Sequence, residues 1–154
     1  ALLEIVKFDN TPNVRAEAAN SLSLFGSVAI SHLVQAFYQD DHWLLRRSIL
    51  AALTDMECPS ELFEVCLQAL AGEDATVQES AVDAIATLAG SSQHEPALSE
   101  LLKLVDSESS RIRTRVAYAL NRFNEPKAQT ALAQLRQDSD RQVVGAALEN
   151  LLSH

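Results

Sequence analysis

The side chains of this sequence best suited to metal or acid–base chemistry are four histidines and one closely spaced pair of carboxylates. The histidines are His32, His42, His94 and His154. No two of them are three or four residues apart, which is the spacing at which two side chains on one helix can hold the same metal ion. Only His94 is followed by an acid, Glu95, and the Gly and Ser residues before it predict a loop there. The sequence therefore predicts no metal site and no cofactor.

Glu79 and Asp83 are the paired carboxylates, four residues apart on one predicted helix. Two neighbouring acids can act as general acid and base, but a solvated acidic helix face is the more ordinary interpretation of this spacing. The sequence has no Gly-rich phosphate loop, nucleophile elbow or paired-Cys motif. We therefore expect no catalytic residue and favour a binding protein over an enzyme.

Composition excludes several further classes of protein. The 154 residues include 12 Lys and Arg against 21 Asp and Glu, which gives a formal charge of −9. This charge disfavours nucleic acid and anionic membrane surfaces as partners, and no apolar run approaches the roughly 18 residues of a membrane span. Cys58 and Cys66 give weak support for a disulfide and are compatible with a reducing compartment. We expect one cytoplasmic domain over residues 1–154.

An internal repeat organises the whole chain. The segment that begins at Val14 matches segments beginning at residues 45, 77, 112 and 143, at spacings of 31, 32, 35 and 31 residues. Each copy carries apolar residues at i, i+4 and i+8, as in Leu45, Ile49 and Leu53, which is one face of a helix. The predicted repeats cover about 1–26, 27–57, 58–90, 91–123 and 124–154. Apolar residues at both ends suggest a piece of a longer array.

A shorter apolar helical segment precedes each of these helices, so every repeat is predicted to be a pair of helices. Capping residues mark the starts of most second helices, namely Thr11, Asp74, Ser109 and Asp140, with His42 as the weakest cap. One pair cannot bury both apolar stripes alone. We therefore expect an all-α fold, an α-α superhelix (solenoid) of five stacked helix pairs.

The pattern Asp-x-x-x-x-Val-Arg-x-x-Ala-x-x-x-Leu, most complete at 9–22 and 40–53, resembles the HEAT repeat. The short period and the high Ala content are similar to the subtype called the phycobilisome-lyase HEAT-like repeat. The resemblance implies that second helices line the concave side and that Asp and Arg residues form a hydrogen-bonded ladder between repeats. The implied ladder residues are Asp9, Arg15, Asp40, Arg46 and Arg113. Gly72 and Gln78 in the third repeat should interrupt it, and so should the fifth repeat, which has Asp138 but Val144.

Helical spacing also predicts which residues of the second helices face a partner. On the side opposite the apolar stripe, the predicted contacts are Trp43, Arg47, Glu79, Asp83, Arg111, Thr114, Tyr118 and Asn121. Trp, Tyr and Arg are the types most enriched at binding hot spots, so Trp43, Arg47 and Tyr118 lead the set. Two alternatives stay open: Trp43 covers the neighbouring first helix, or Tyr118 packs between repeats.

The charge is unevenly distributed along the chain. Residues 1–77 hold 4 basic and 11 acidic residues, a net −7, whereas residues 78–154 hold 8 and 10, a net −2. The basic surplus lies in the fourth second helix, at Arg111, Arg113, Arg115 and Arg122. This gradient could orient a partner of matching charge, although a solvated face plus one ladder arginine is the simpler interpretation.

These observations predict a protein–protein interaction scaffold that binds a helix or an extended segment of another protein on its concave second-helix face. The resemblance implies a different class as an alternative. Proteins with this repeat include the subunits that attach, detach or isomerise linear tetrapyrroles on phycobiliproteins, and Arg47, Tyr118 and Trp43 would then contact the bilin. No residue here matches a catalytic motif of those lyases, so the sequence favours the scaffold.

Overall fold

The computed structural model describes residues 14–18 and 28–152, and every regular element in this part of the chain is helical. Residues 14–18 are helical. They are followed by the helices α1 (Ile30–Gln39), α2 (Trp43–Asp55), α3 (Pro59–Ala71), α4 (Ala75–Ala86), α5 (His94–Lys103), α6 (Ser110–Leu120), α7 (Pro126–Leu135) and α8 (Arg141–Leu152). A short 3-10 turn, Leu104–Asp106, extends α5. The all-α fold of paired helices predicted from the sequence is confirmed.

The chain divides into two compact units, Ala1–Ala84 and Ile85–His154, with the boundary inside α4. In the first unit, α1 packs on α2 and α3, and α2 packs on α3. In the second unit, α5 packs on α6 and α7, while α8 packs on both α6 and α7. Each unit therefore buries its first helices against its second helices, as stacked helix pairs must.

The second helices begin where capping residues predict. The Asp74 carboxylate accepts a hydrogen bond from the Val77 N–H (3.0 Å), and the Ser109 hydroxyl accepts one from the Ile112 N–H (3.3 Å). His42 also caps, because its Nδ1 accepts from the Leu44 N–H at 3.2 Å. These bonds satisfy amide groups that have no partner inside the helix. They determine the residue at which each of these three helices begins. Thr11 lies outside the described residues.

The apolar column of the second helices forms the core in the repeats after the first, whereas Val14, which begins the column of the first repeat, is 41% exposed. In α2, Leu45, Ile49 and Leu53 have no solvent exposure. The corresponding residues of the later helices are also buried: Val77, Ala81, Ile85, Ile112, Val116, Leu120, Val143 and Ala147. Small residues beside the column, such as Ala52 and Ala119, are buried too and let neighbouring helices approach closely.

Both cysteines are free thiols buried in the first unit. Cys66 lies in the core on α3, as its helical position predicts, and Cys58 precedes that helix. Burial raises the pKa of the Cys66 thiol, and burial likewise raises the pKa of Cys58. Neither thiol is therefore activated as a nucleophile, because the thiolate is the reactive form.

Candidate functional site

One face of α2 remains exposed after the core column is buried. It consists of Trp43, Arg47, Ala51 and Asp55, each four residues after the last, and we call it the α2 face. Trp43 is 41% exposed, and its ring stacks on His42, the residue that caps the helix (centroids 6.1 Å apart). The stacking holds the indole at the start of α2 and leaves much of it accessible. Trp43 and Arg47 therefore lie on one exposed surface.

The structure corrects the prediction for Glu79 on α4. Glu79 is only 7% exposed, whereas Asp83 is exposed. A helix turns about 100° per residue, so Glu79 is displaced from Asp83 by about 40° around the axis. That displacement is enough to bury it, because from residue 77 to the end of α4 only Asp83 is exposed. Glu79 is consequently not an accessible partner contact, and the two acids do not form an exposed catalytic pair.

The exposed face of α6 is basic and aromatic. Arg111, Arg115 and Tyr118 lie on it, and Arg122 follows in the turn after the helix; we call these four residues the α6 face. Tyr118 is 48% exposed, so it does not pack fully between repeats. The predicted column starts at Ser110 and advances by four, four and three residues, so it selects Thr114 and Asn121 beside Tyr118. It passes over Arg115 and Arg122, although the charge count already indicates this helix. The exposed arc of α6 is rotated by one position from the predicted one.

Thr114 and Asn121 are half-buried beside the α6 face. The Thr114 hydroxyl donates to the Ser110 carbonyl at 2.8 Å, one turn earlier in the same helix. The Asn121 side-chain NH₂ donates to the Ala146 carbonyl of α8 at 3.2 Å, whereas its Oδ1 is buried without a hydrogen bond. Both side chains thus use polar atoms within the fold, and Asn121 joins α6 to α8.

Two arginines of the predicted ladder pair with a carboxylate of the next repeat, Arg15 as expected and Arg113 against the expectation of a break at the fifth repeat. The Arg15 guanidinium lies 2.5 Å from the Asp40 carboxylate. Arg113 binds Asp138 through two nitrogens, Nε at 2.8 Å and Nη2 at 3.1 Å. The Arg113 hydrogen bond holds the pKa of the Asp138 carboxyl below its ordinary value, and the same pair raises the pKa of Arg113. Asp9 lies outside the described residues.

In three of the repeats, the side chain at the ladder arginine position also donates a hydrogen bond to the backbone of the loop before its helix. Arg46 Nε donates to the Asp40 carbonyl (2.8 Å), and Arg113 Nη1 donates to the Ser107 carbonyl (2.7 Å), each six residues back. Gln78 takes the same role, because its NH₂ group donates to the Gly72 carbonyl at 2.6 Å. The long polar side chain at this position therefore has a local structural role in addition to any contact between repeats.

Arg46 has no carboxylate in the place where Arg113 finds Asp138, because Gly72 occupies that position. Its guanidinium lies instead over the buried Phe37 ring, 4.5 Å from the centroid. A cavity of about 470 Å³ opens beside it, lined by Arg46, Gly72 and three acids, Asp41, Glu73 and Asp74. The carboxylates outnumber the one cation, so this cavity does not suit an anion.

The structure gathers one cluster of metal-ligating types within the described residues. Ligand atoms of His94, Glu95 and Glu125 lie within 4.8 Å of one another. His94 does not lie in a loop, as the sequence suggested, but begins α5. Its Nε2 faces the Glu125 carboxylate, and its ring packs on Phe123.

The hydrogen bonds of His94 decide between coordination and a structural pair. The Gly90 N–H donates to His94 Nδ1 at 2.8 Å, so Nδ1 is the acceptor of a neutral ring and Nε2 carries the proton. A metal bound at Nε2 would move that proton to Nδ1, where it would oppose the Gly90 N–H. Gly90 supplies its N–H from a left-handed conformation (φ +82°), which fixes this geometry. The arrangement favours a hydrogen bond from His94 to Glu125.

The fold and these surfaces are those of a helical-repeat protein, and the chain belongs to the HEAT-repeat family. A family model of HEAT repeats matches residues 63–152. No curated protein matches the sequence. Within the described residues, no helix is long and apolar enough to cross a membrane.

Several solved structures share the fold at low sequence identity. The complex of CpcE and CpcF of phycocyanin lyase from Nostoc sp. PCC7120 contains a chain with TM-score 0.78 and 18% identity, which covers 97% of this chain and 95% of that chain. A designed armadillo repeat protein in complex with the peptide (KR)4 has TM-score 0.65 and 19% identity, covering 97% of this chain and 79% of that one. Because the identities are low, these likenesses define the architecture: an α-solenoid of the HEAT and armadillo type.

Proposed function

We propose that the chain is a protein-interaction module that acts by binding rather than by chemistry, through the exposed faces of its second helices. The observation that carries the proposal is the exposure of Trp43 and Tyr118 on helices whose opposite side is locked in the core. Aromatic side chains on rigid helices offer a large contact area with little loss of freedom on binding. Arg47 adds a cation beside Trp43.

Two solved structures with this fold support the same mode of action. The designed armadillo protein was solved with a bound peptide, and CpcE was solved with CpcF. Helical repeats present stacked second helices as an extended surface, which suits a helix or an extended segment of a partner. We therefore propose two partner-contacting surfaces, each taken by itself: the α2 face in the first unit and the α6 face in the second.

Affinity capture from an extract of the source organism tests the proposal. The baits are the unmodified chain, the Trp43→Ala/Tyr118→Ala variant and a matched control, Tyr38→Ala, which removes an exposed aromatic from the first helix α1. We expect a discrete protein in the first and third eluates and its loss from the second, with unchanged melting of all baits. Capture that ignores both aromatic substitutions would show that the second-helix faces are not the binding surface.

A second candidate function is handling of a linear tetrapyrrole or of a phycobiliprotein. The observation in its favour is the likeness to one chain of the CpcE–CpcF complex, which extends over 97% of this chain and 95% of the matched one. Bilins absorb visible light, so a visible spectrum of the same eluates separates the two functions. A coloured eluate that is lost with Trp43 and Tyr118 would support the tetrapyrrole function, whereas a colourless captured protein supports the scaffold.

A further inference from the structure

The α6 face carries an unusual concentration of positive charge for this chain. Together with the ladder residue Arg113, its three arginines are four of the chain's 12 Lys and Arg residues. Arg111, Arg115 and Arg122 are exposed around Tyr118, and no acid occurs anywhere in α6. Arg111 and Arg115 also make contacts within the chain, yet both remain accessible.

Helix physics does not favour this arrangement. Arg111 lies in the first turn of α6, where the positive end of the helix dipole repels a cation and attracts an acid. Arg111 and Arg115 are four residues apart, and like charges at this spacing destabilise a helix. Functional surfaces are where such local rules are most often broken. A negatively charged partner at this face would reverse both penalties.

Space beside the α6 face is open on the neighbouring helix. Gly145 lies in the middle of α8, which packs on α6, and it is exposed. A Cβ added there would have no atom within 4 Å. Glycine inside a helix is less favourable than alanine, so the fold itself gives no reason for glycine here. A partner that approaches the α8 backbone would have the room it needs.

We infer that the α6 face, with the open surface at Gly145 beside it, binds an acidic extended segment of a partner protein. The inference rests on the proposed function and names the chemistry of the partner. Guanidinium groups bind carboxylates through paired hydrogen bonds, and Arg111, Arg115 and Arg122 present three of them around one aromatic ring. A protein segment fits better than a nucleic acid, because the net charge of −9 repels a long polyphosphate while a short acidic segment contacts only this face.

Fluorescence anisotropy with a labelled peptide of alternating Glu and Ser tests the inference, and the matched Gln and Ser peptide serves as the neutral probe. The key variant is Arg115→Gln/Arg122→Gln. Its control is Lys103→Gln/Lys127→Gln, which changes the net charge equally at exposed sites outside the α6 face. Thermal melts of each variant verify that the fold is intact.

We expect the Glu peptide to bind the unmodified chain, the arginine variant to bind it about tenfold more weakly, and the lysine control to change affinity less than about twofold. Gly145→Ala should lower the affinity of the chain for the Glu peptide without lowering the melting temperature of the chain. Equal losses in the arginine and lysine variants would overturn the inference, because net charge alone would then explain binding. Tighter binding of single-stranded oligothymidylate, lost in the arginine variant, would overturn it in favour of nucleic acid.

The capture experiment separates this inference from the proposed function. A partner that is lost with Trp43→Ala but retained by Arg115→Gln/Arg122→Gln would overturn the acidic-segment inference and leave the interaction module in place. A partner lost with the arginine variant and with Tyr118→Ala, but retained by the lysine control, supports both. Self-association of the unmodified chain in sedimentation, lost in the arginine variant, would identify a second copy of the chain as the occupant and overturn the inference of a separate partner.

Discussion

Arg46 in the first unit and Arg113 in the second occupy the same position of their repeats but meet different surroundings. Each donates a hydrogen bond to a backbone carbonyl six residues back. Arg113 also holds the Asp138 carboxylate with two nitrogens, whereas Arg46 faces Gly72 and lies over Phe37. We call the Arg113–Asp138 pair in the second unit the closed joint, and the Arg46–Gly72 position in the first unit, which lacks the carboxylate, the open joint.

The difference shows which bonds define the repeat and which are optional. The loop before α2 keeps its return hydrogen bond although the next repeat offers no acid, and Gln78 makes the same bond from a neutral side chain. The ion pair of Arg113 and Asp138 adds stability to a contact whose geometry is already set by backbone hydrogen bonds and core packing. Where Gly72 replaces the acid, a polar cavity lies beside Arg46 and the neighbouring helices are still formed.

The largest effects should come from the core column that the two units share. Leu53→Ala and Leu120→Ala each remove a side chain with no solvent exposure from the same repeat position. We expect each to lower the free energy of unfolding by about 2–5 kcal/mol, because a partly collapsed cavity remains. Urea denaturation measures the loss, and Asp55→Ala on the exposed side of α2 should change stability by less than about 0.5 kcal/mol. A small loss of unfolding free energy at only one of the two leucines would show that this repeat position does not have the same core role in both units.

Breaking the closed joint should have the next largest effect. Asp138→Ala removes both bonds to Arg113 and the acceptor of the Asp140 N–H, and it leaves a guanidinium that is only 17% exposed without its carboxylate. We expect a loss of about 2 kcal/mol in urea denaturation. Asp41→Ala, at the open joint, removes an exposed acid with no comparable bond and should change stability little.

The pH dependence gives an independent measure of the same pair. Arg113 lowers the pKa of Asp138 below its ordinary value of 3.8, so the folded state binds this proton less readily than the unfolded chain does. The stabilisation is complete well above that pH, falls as the pH drops through 3.8, and is absent below the folded-state pKa. The unmodified chain and Asp138→Ala should therefore converge in stability as the solution is acidified. A gap that persists in acid would mean that Asp138 stabilises by packing.

The repeat columns predicted the fold because burial follows the helical period. Leu45, Ile49 and Leu53 needed no information beyond spacing four residues apart. The same spacing misplaced Glu79, because it assigns Glu79 and Asp83 to one face, whereas α4 buries the first and exposes the second. Arg115 and Arg122 were passed over for the same reason.

The pair of His94 and Glu125 escaped sequence reasoning for a different cause. Spacing within one helix does not relate these two residues, because they are 31 apart in the sequence. That separation equals the period of the repeat, which places corresponding positions of adjacent repeats side by side. Pairs of polar residues one period apart are therefore the signal that could have found this contact.

The smallest effect should come from closing the open joint with Gly72→Asp. Gly72 has ordinary extended backbone angles (φ −79°, ψ 177°), so an L side chain fits without strain. A Cβ there would lie 3.4 Å from the Ala69 carbonyl oxygen and 3.9 Å from Arg46 Nη1, within reach of the guanidinium for a carboxylate. We expect a gain of about 1 kcal/mol in urea denaturation, from reduced freedom of the unfolded chain and a partly exposed ion pair.

Gly72→Ala separates these two contributions, because it restricts the unfolded chain without adding a charge. Aspartate should exceed alanine by about 0.5 kcal/mol at neutral pH and lose that advantage in acid, where the new carboxyl is protonated. The three acids that line the cavity, Asp41, Glu73 and Asp74, oppose a fourth negative charge. If the Gly72→Asp variant is instead less stable than Gly72→Ala at neutral pH, the three acids already neutralise the charge of Arg46. The open joint then needs no carboxylate at residue 72.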